Sequence, residues 1–377
     1  MRIAVNARFL LKDRLEGLGR FSHEVLQRMV RNHPEHEFVF FFDRAYAPGF
    51  VYAENVIPVS VFPPARHPYL YYIWFEWSLP RQFRKWKPDV FFSPDGFLSL
   101  STEIPQVPVI HDLAFEHYPE YVSKTGATYY KKYFPQFAKK AKRIATVSSF
   151  SKSDIHQTYG IANELIDIVY NGASSHFHPL EEAQLAAFRK ESMQDKPWFV
   201  YVGSLHPRKN IHRLLKAFDQ FKLHDSNDYQ LVIVGRKAWQ TEELEDVYTN
   251  MKYKDSVHFT GRISDAEMLP YLCGARAMTY APLFEGFGLP LLEAFQCGTP
   301  AITSDISSLP EVAGDAALCI DPLSVPDMAN AMLKLSMDDA LYADLKAKAL
   351  LRAKAFSWDD TAEKMWQCLE KSIFDRA

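Results

Sequence analysis

Cysteine is scarce in this 377-residue chain. The four residues, Cys273, Cys297, Cys319 and Cys368, form no Cys-x-x-Cys pair and have no histidine at metal-binding spacing. That excludes a disulfide scaffold and a cysteine metal centre, and it reads as small buried hydrophobes in a reducing compartment. Long apolar runs are missing too: none approaches the ~18 residues that a membrane-spanning helix needs. The first six residues have the pattern of a strand rather than a signal peptide. Cytoplasmic residence is the expectation, with peripheral contact at the inner membrane face left open. An excess of charge is also lacking. Lys and Arg number 43 against 46 Asp and Glu, a net −3, which argues against a dedicated nucleic-acid binder. No Asp-x-Asp stands where a metal would bridge phosphates, so no metal and no resident cofactor are expected.

What is present is aromatic and unevenly charged. Aromatic residues reach 14%, with 28 Phe and 19 Tyr. Residues 1–171 hold 21 basic and 17 acidic side chains, and the remainder 22 and 29. The basic, aromatic first half suits an acidic or membrane-borne partner.

Short β-branched or aromatic runs alternate with longer helix-period stretches, the pattern of parallel α/β units. Strands are predicted at 3–6, 38–42, 90–93, 107–110, 144–147 and 166–170. A second series follows at 198–202, 231–234, 257–259, 277–280, 301–304 and 317–320. A turn-rich stretch from Asn171 reads as a linker. Two α/β domains result, 1–171 and 197–357, with 172–196 between them and a terminal amphipathic helix, 358–377, whose apolar face fits either domain. Two Rossmann-like α/β domains of this kind face each other across a cleft and bind at the carboxyl ends of their strands.

The most informative segment runs from Tyr280 to Pro300. A strand ends, a glycine-bearing loop follows, Pro290 occupies a first-turn position and Gly298 closes the helix. The amides of Phe287, Gly288 and Leu289 would lead that helix, as an anion site suited to phosphate. Glu285 and Glu293 bracket the terminus; their expected partners are sugar hydroxyls on either side of a diphosphate. Residues 202–211 place Arg208 and Lys209 at another strand end, a planar fork and a point charge for phosphate. Gly17 and Gly19 half-match a dinucleotide fingerprint, with Ser22 where the third glycine belongs. His111 and Asp112 follow a strand and suit acid–base work or substrate positioning; the alternative is a turn capped by Asp112. Residues 69–87 interleave aromatics with bases, which fits a buried helix with a charged end or a seat for lipid or sugar.

Glu285-Gly-Phe-Gly-Leu-Pro with Glu293 eight positions on, the Pro-Arg-Lys-Asn before it and Ser308-Leu-Pro-Glu-Val-Ala-Gly-Asp after it resemble the retaining GT-B glycosyltransferases of family four. Asn6-Ala-Arg, Gly17-Leu-Gly-Arg-Phe, His111-Asp-Leu and the serine-rich residues 146–153 resemble its mannosyltransferase-like branch. The resemblance implies an enzyme that moves a hexose, mannose favoured, from a nucleotide-sugar, GDP-mannose favoured, to a glycan or lipid-linked acceptor in cell-surface polysaccharide synthesis. It implies Glu285 on the transferred sugar, Glu293 on ribose, Arg208 and Lys209 on the diphosphate with the amides of Phe287, Gly288 and Leu289. Gly17 and Gly19 would approach the phosphates, His111 would reach the donor sugar, Ile263 would lie at the base, and the last helix, 358–377, would cross back to the first domain. Many members carry Arg after the glycine at position 203; Ser204 stands here. The alternatives are a GT-B epimerase or hydrolase, or a non-catalytic nucleotide-sugar binder.

Overall fold

The computed structural model describes residues 1–12, 15, 17–236 and 242–374. The final three positions of the predicted terminal helix therefore lie outside the described residues. The chain divides into two compact units, Met1–Gly172 with Ser357–Ala377, and Ala173–Phe356.

The first unit is built on β1 (Arg2–Asn6), β2 (Glu37–Phe42), β3 (Val56–Ser60), β4 (Val90–Ser93) and β5 (Gln106–Pro108), all parallel in the order β3-β2-β1-β4-β5. A smaller parallel pair, β6 (Ile144–Thr146) and β7 (Ile166–Ile168), joins through a bridge between Val109 and Ala145. Sheets covered on both faces require near-continuous apolar strands, and Phe38, Val39, Phe40 and Phe41 are fully buried. Composition misses β3, because Pro58 interrupts it. The proline is tolerated there since β3 is an edge strand, where a missing N–H leaves no ladder bond unmade.

The second unit carries β8 (Trp198–Val202), β9 (Gln230–Val234), β10 (Val257–Gly261), β11 (Ala277–Tyr280), β12 (Ala301–Ser304) and β13 (Ala317–Ile320). They are parallel in the order β10-β9-β8-β11-β12-β13. Strand order reverses between β8 and β11, the place where the crevice of an open α/β sheet forms.

The expectation of a linker over 172–196 is corrected. Only its first part is irregular; Glu182–Met193 is a helix with a reciprocal cap between Glu181 and Gln184, and it belongs to the second unit. Composition explains the change: past Pro179 the turn-forming residues give way to a run of good helix formers. The chain leaves the first unit at Gly172, where a Cβ would meet the Trp358 amide nitrogen at 2.1 Å.

The aromatic stretch divides its two predicted roles. A helix over Pro68–Ile73 passes through a π turn at Trp74–Ser78 into a helix over Leu79–Trp86. Trp74, Phe75, Leu79 and Phe83 enter the core. Tyr69, Tyr72 and Trp77 remain exposed, at 77%, 41% and 54%. The terminal helix Trp358–Phe374 lies on helix Gly17–Asn32 of the same unit. Arg28 Nε meets Asp359 Oδ1 at 2.6 Å, and Trp366 stacks on His33 at 3.7 Å.

Candidate active site

In the second unit, the loops that follow β8 and β11 meet where the strand order reverses. The Leu283 amide donates to the Arg208 carbonyl at 2.9 Å. Asn210, 1% exposed and held at φ 63°, donates from Nδ2 to the carbonyls of Ala281 at 3.0 Å and Pro322 at 2.7 Å. A short turn over Pro207–Lys209 thereby presents Arg208 and Lys209 to the glycine loop.

Both cations converge on Glu285. Arg208 Nη1 lies 3.0 Å from Glu285 Oε1 and also donates to the Phe284 carbonyl. Lys209 Nζ donates to the same Oε1 and, at 2.6 Å, to the Tyr280 hydroxyl. The side chains of Arg208, Lys209 and Glu285 are 19%, 13% and 11% exposed, so the cluster is largely shielded from water. Burial pushes the Glu285 carboxyl up, but Arg208 and Lys209 outweigh it, with hydrogen bonds from Lys209 and Tyr280, and hold it below the usual carboxylate range. Burial also drives the Tyr280 hydroxyl well above its ordinary value, so it stays protonated beside the carboxylate.

Glu285, for which sugar hydroxyls are the expected partners, is bonded to both cations in the structure. A strand-end carboxylate between two buried bases supplies the counter-charge that shielded cations need. It also orders the guanidinium and ammonium in one place, so an anion arriving there meets a preformed pair.

Helix Leu289–Gln296 begins after Gly288, whose φ of 100° strains any other residue and whose Cβ position, 2.6 Å from Leu309 Cδ2, would require that side chain to shift. Gly288 O receives the first intrahelical bonds, from Leu291 N at 3.0 Å and Leu292 N. Phe287, Gly288 and Leu289 thus lead the helix as predicted from the turn residues, and Glu293, buried at 9%, lies within it. The Ser308 hydroxyl anchors the loop from below, donating to the Glu285 carbonyl at 2.9 Å.

Beside this, the loops after β8, β9 and β10 are tied together. Gly203 N donates to Val234 O and Gly235 N to Gly261 O, both at 2.9 Å. A Cβ on Gly235 would sit 1.7 Å from Gly203 O. Ile263, half-buried, follows β10 on this edge, and Ser204 lies in the β8 loop, its carbonyl accepting from Tyr201 Oη at 3.1 Å.

In the first unit, Gly17 and Gly19 form the first turn of helix Gly17–Asn32 rather than a loop ahead of it, and Gly19 is buried. A Cβ at Gly17 would meet nothing within 4 Å. Phe21, one turn further along this helix, packs edge-on against His111 at 4.8 Å. His111 Nε2 lies 2.9 Å from the Pro94 carbonyl, which can only accept, so the proton sits on Nε2 and Nδ1 carries the lone pair. Burial lowers its pKa despite that hydrogen bond, leaving a neutral imidazole at neutral pH. Asp112 Oδ1 accepts the Ala114 amide at 3.0 Å, which fixes the turn and commits one carboxylate oxygen to the backbone.

Comparison with known proteins then gives the family. Residues 184–352 match the model described as glycosyl transferases group 1, and residues 15–176 match glycosyltransferase family 4. O-antigen chain mannosyltransferase B of Escherichia coli is 32% identical over 286 residues, 75% of this chain and 74% of that one. The chain belongs to the family-four glycosyltransferases. A second relative, the serotype-specific mannosyltransferase WbdA of Escherichia coli, is 28% identical across 59% of this chain and 28% of its own length. Among solved structures, Anabaena HepE in complex with UDP and glucose superposes with a TM-score of 0.76 at 16% identity, covering 98% of this chain and all of that one. The fold of this glycosyltransferase is GT-B.

Sequence reasoning left several residues of this glycosyltransferase unassigned. Tyr280 and Ser308 fix the Glu285 cluster, and both stand in segments already conspicuous for their glycines and prolines. Asn6 and Arg8 hold Asp95: Arg8 Nη2 reaches Asp95 Oδ2 at 2.6 Å, and Asn6 Nδ2 reaches Oδ1 at 2.8 Å. Arg8 and Asp95 are buried, and the guanidinium lies 4.6 Å from the Phe97 ring and 4.9 Å from Phe75. Asp95 also accepts the Phe97 amide at 3.2 Å and so pins the turn whose Pro94 carbonyl orients His111.

Proposed function

We propose that this glycosyltransferase moves a hexose, mannose favoured, from a nucleotide-sugar, GDP-mannose favoured, to a glycan or lipid-linked saccharide, with retention at the anomeric carbon, in cell-surface polysaccharide or glycoconjugate synthesis. The observation that carries this reading is the joining of Arg208, Lys209 and Glu285 beside the Gly288-led helix, where the β8 and β11 loops meet. The names of the relatives, two of them O-antigen or serotype-specific mannosyltransferases, support mannose as the sugar. HepE, seen with UDP, supports a nucleotide-sugar donor.

Breaking the bond from the anomeric carbon to the diphosphate leaves negative charge on the departing oxygens and positive charge on the sugar. Arg208, Lys209 and the helix-leading amides of Phe287, Gly288 and Leu289 stabilise the first; the carboxylate of Glu285 sits where the second develops and contacts sugar hydroxyls. Glu293 takes the ribose and Ile263 the base. Gly17 and Gly19 allow close approach to the phosphates, and neutral His111, with its lone pair on Nδ1, accepts from a sugar hydroxyl, with Asp112 shaping its turn. The two cations do the work that a bridging metal would do elsewhere, and no metal is required. The site of action is the cytoplasm, with peripheral contact at the inner membrane face through the first unit.

A donor panel with mannoside acceptors tests this, read by nucleoside diphosphate release and product mass, with and without chelator. Mannose transfer from GDP-mannose that survives chelation and gives an axial anomeric linkage by NMR is the expected result. Free hexose as the sole sugar product would mark a hydrolase, and donor binding without turnover a sensor. Transfer that stops with chelator would reverse the metal assignment.

A further inference from the structure

Away from the Glu285 cluster, the first unit contains a cavity of about 560 Å³ between helix Pro68–Ile73 and helix Lys124–Lys140. Its lining includes Tyr69, Tyr72, Ile73, Tyr129 and Tyr133, with Lys124 and Lys132 among them. The rings are packed into a wall: Tyr72 to Tyr133 at 6.0 Å, Tyr133 to Tyr129 at 4.6 Å. Lys132 Nζ lies 5.0 Å from the Tyr133 ring centroid, so a cation stands directly over an aromatic face of this wall.

The surroundings are mostly basic, with exposed Asp89, Glu103 and Glu120 at their margin. Helix Lys124–Lys140 holds five lysines and no carboxylate. Residues 62–88 hold the exposed Arg66, Arg81, Arg84, Lys85 and Lys87, and a single acidic residue, Glu76. Glu76 is buried and spent on the backbone, accepting the Leu100 amide at 2.9 Å. Lys140 meets an exposed carboxylate, Glu103, at 3.0 Å. The same stretch leaves Phe62 82% exposed beside Tyr69, Tyr72 and Trp77. A groove with apolar walls inside a carboxylate-poor basic surface is complementary to one kind of ligand, an amphiphile with a hydrocarbon chain and an anionic head.

We propose that this groove seats the chain and phosphate of a single long-chain alkyl or isoprenoid phosphate, the anchor of a lipid-linked acceptor. The proposal rests on the transferase reading for its biological sense, though not for its test. Tyr69, Tyr72, Ile73 and Tyr133 cover the first methylenes, and Lys124 and Lys132 meet the phosphate. One chain in an apolar seat holds marginally, whereas a chain together with a basic patch holds firmly. A neutral glycan would use the tyrosine faces but leave the lysines unexplained.

Calorimetry and tryptophan emission with dodecyl phosphate, below its micelle concentration, test the proposal on the full chain. Saturable one-site binding is expected, weakened at least about tenfold in Tyr69→Ser/Tyr72→Ser and in Lys124→Glu/Lys132→Glu, and kept in Lys132→Arg. Dodecanol should bind more weakly, and inorganic phosphate should not compete at equal concentration. Equal binding by wild type and both double variants overturns the proposal. So does binding only to anionic vesicles, which would mark a bilayer surface, or binding of a mannose oligosaccharide alone at the same tyrosines. Transfer to a lipid-free acceptor should be unchanged in the variants. Absence of transfer in the wild type would defeat the transferase reading and leave the binding result standing.

Discussion

Glu285 holds Arg208 and Lys209 as their counter-charge, and in the proposed mechanism it also faces the reacting sugar. Glu285→Gln keeps the shape and removes the charge, so donor affinity should change little while turnover falls at least about a hundredfold, the scale for losing one electrostatic stabiliser. Lys209→Ala should instead raise the donor KM, because the ammonium is a point charge for phosphate in ground and transition states alike. Steady-state kinetics with a donor titration checks both, and equal effects on KM and kcat in the two variants would contradict the division of roles. At Gly288 the constraint is steric. Gly288→Ala combines a φ of 100° with a Cβ 2.6 Å from Leu309, so a stability loss of about 1–3 kcal/mol is expected in denaturant unfolding, together with weakened donor binding.

At the scale of elements, the strand-end turns are braced from beneath by polar groups that do not face the substrate. The turn after β4 is the clearest case. Asp95 receives Arg8, Asn6 and the Phe97 amide, and so sets where the Pro94 carbonyl points and which nitrogen of His111 bears the proton. Asp95→Asn leaves the buried Arg8 guanidinium without its counter-charge, a loss of about 3–5 kcal/mol in chemical denaturation. If enough protein folds to assay, kcat should fall more than the donor KM, because the variant disturbs His111 and leaves Arg208 and Lys209 in place. The glycine–proline helix start at 288–290 was legible in the sequence, since glycine and proline restrict the backbone locally. The π turn at Trp74–Ser78 was not, because it arises from fitting Trp74, Phe75 and Glu76 into one buried face. The helix at Glu182–Met193 is a different case: its helix formers past Pro179 are a local signal, masked by the turn residues that open the same stretch.

On the scale of the whole molecule, His111 and Glu285 are among the groups that tie stability to pH, and the signs can be worked out. The neutral His111 has its folded pKa below the ordinary 6.5, so the unfolded chain binds its proton first as pH falls. Its contribution is full above about pH 6.5 and erodes between there and its lowered folded value. Glu285 has its folded pKa below 4.5, so its contribution is present above that value and is lost as pH falls through the depressed one. Thermal unfolding should therefore be level from about pH 8 to pH 7 and decline in a first stage below about pH 6.5, a stage that His111→Gln diminishes. An unchanged first stage in that variant would assign it to another histidine.

Local rules were enough for the sequence to determine two successive parallel α/β series, the family resemblance, and the strand-end loops that hold the candidate residues. Hydrophobic period, β-branching, glycine and proline act over a few neighbouring residues and need no partner from elsewhere. Which groups touch was decided by tertiary structure alone. Arg208 and Glu285 are 77 positions apart, and Arg8 and Asp95 are 87 apart; each pair meets because parallel pairing brings the ends of β8 and β11, or of β1 and β4, to one edge of a sheet. The sequence contained both carboxylates and both cations, but only the order of the strands made Glu285 the partner of Arg208 and Lys209.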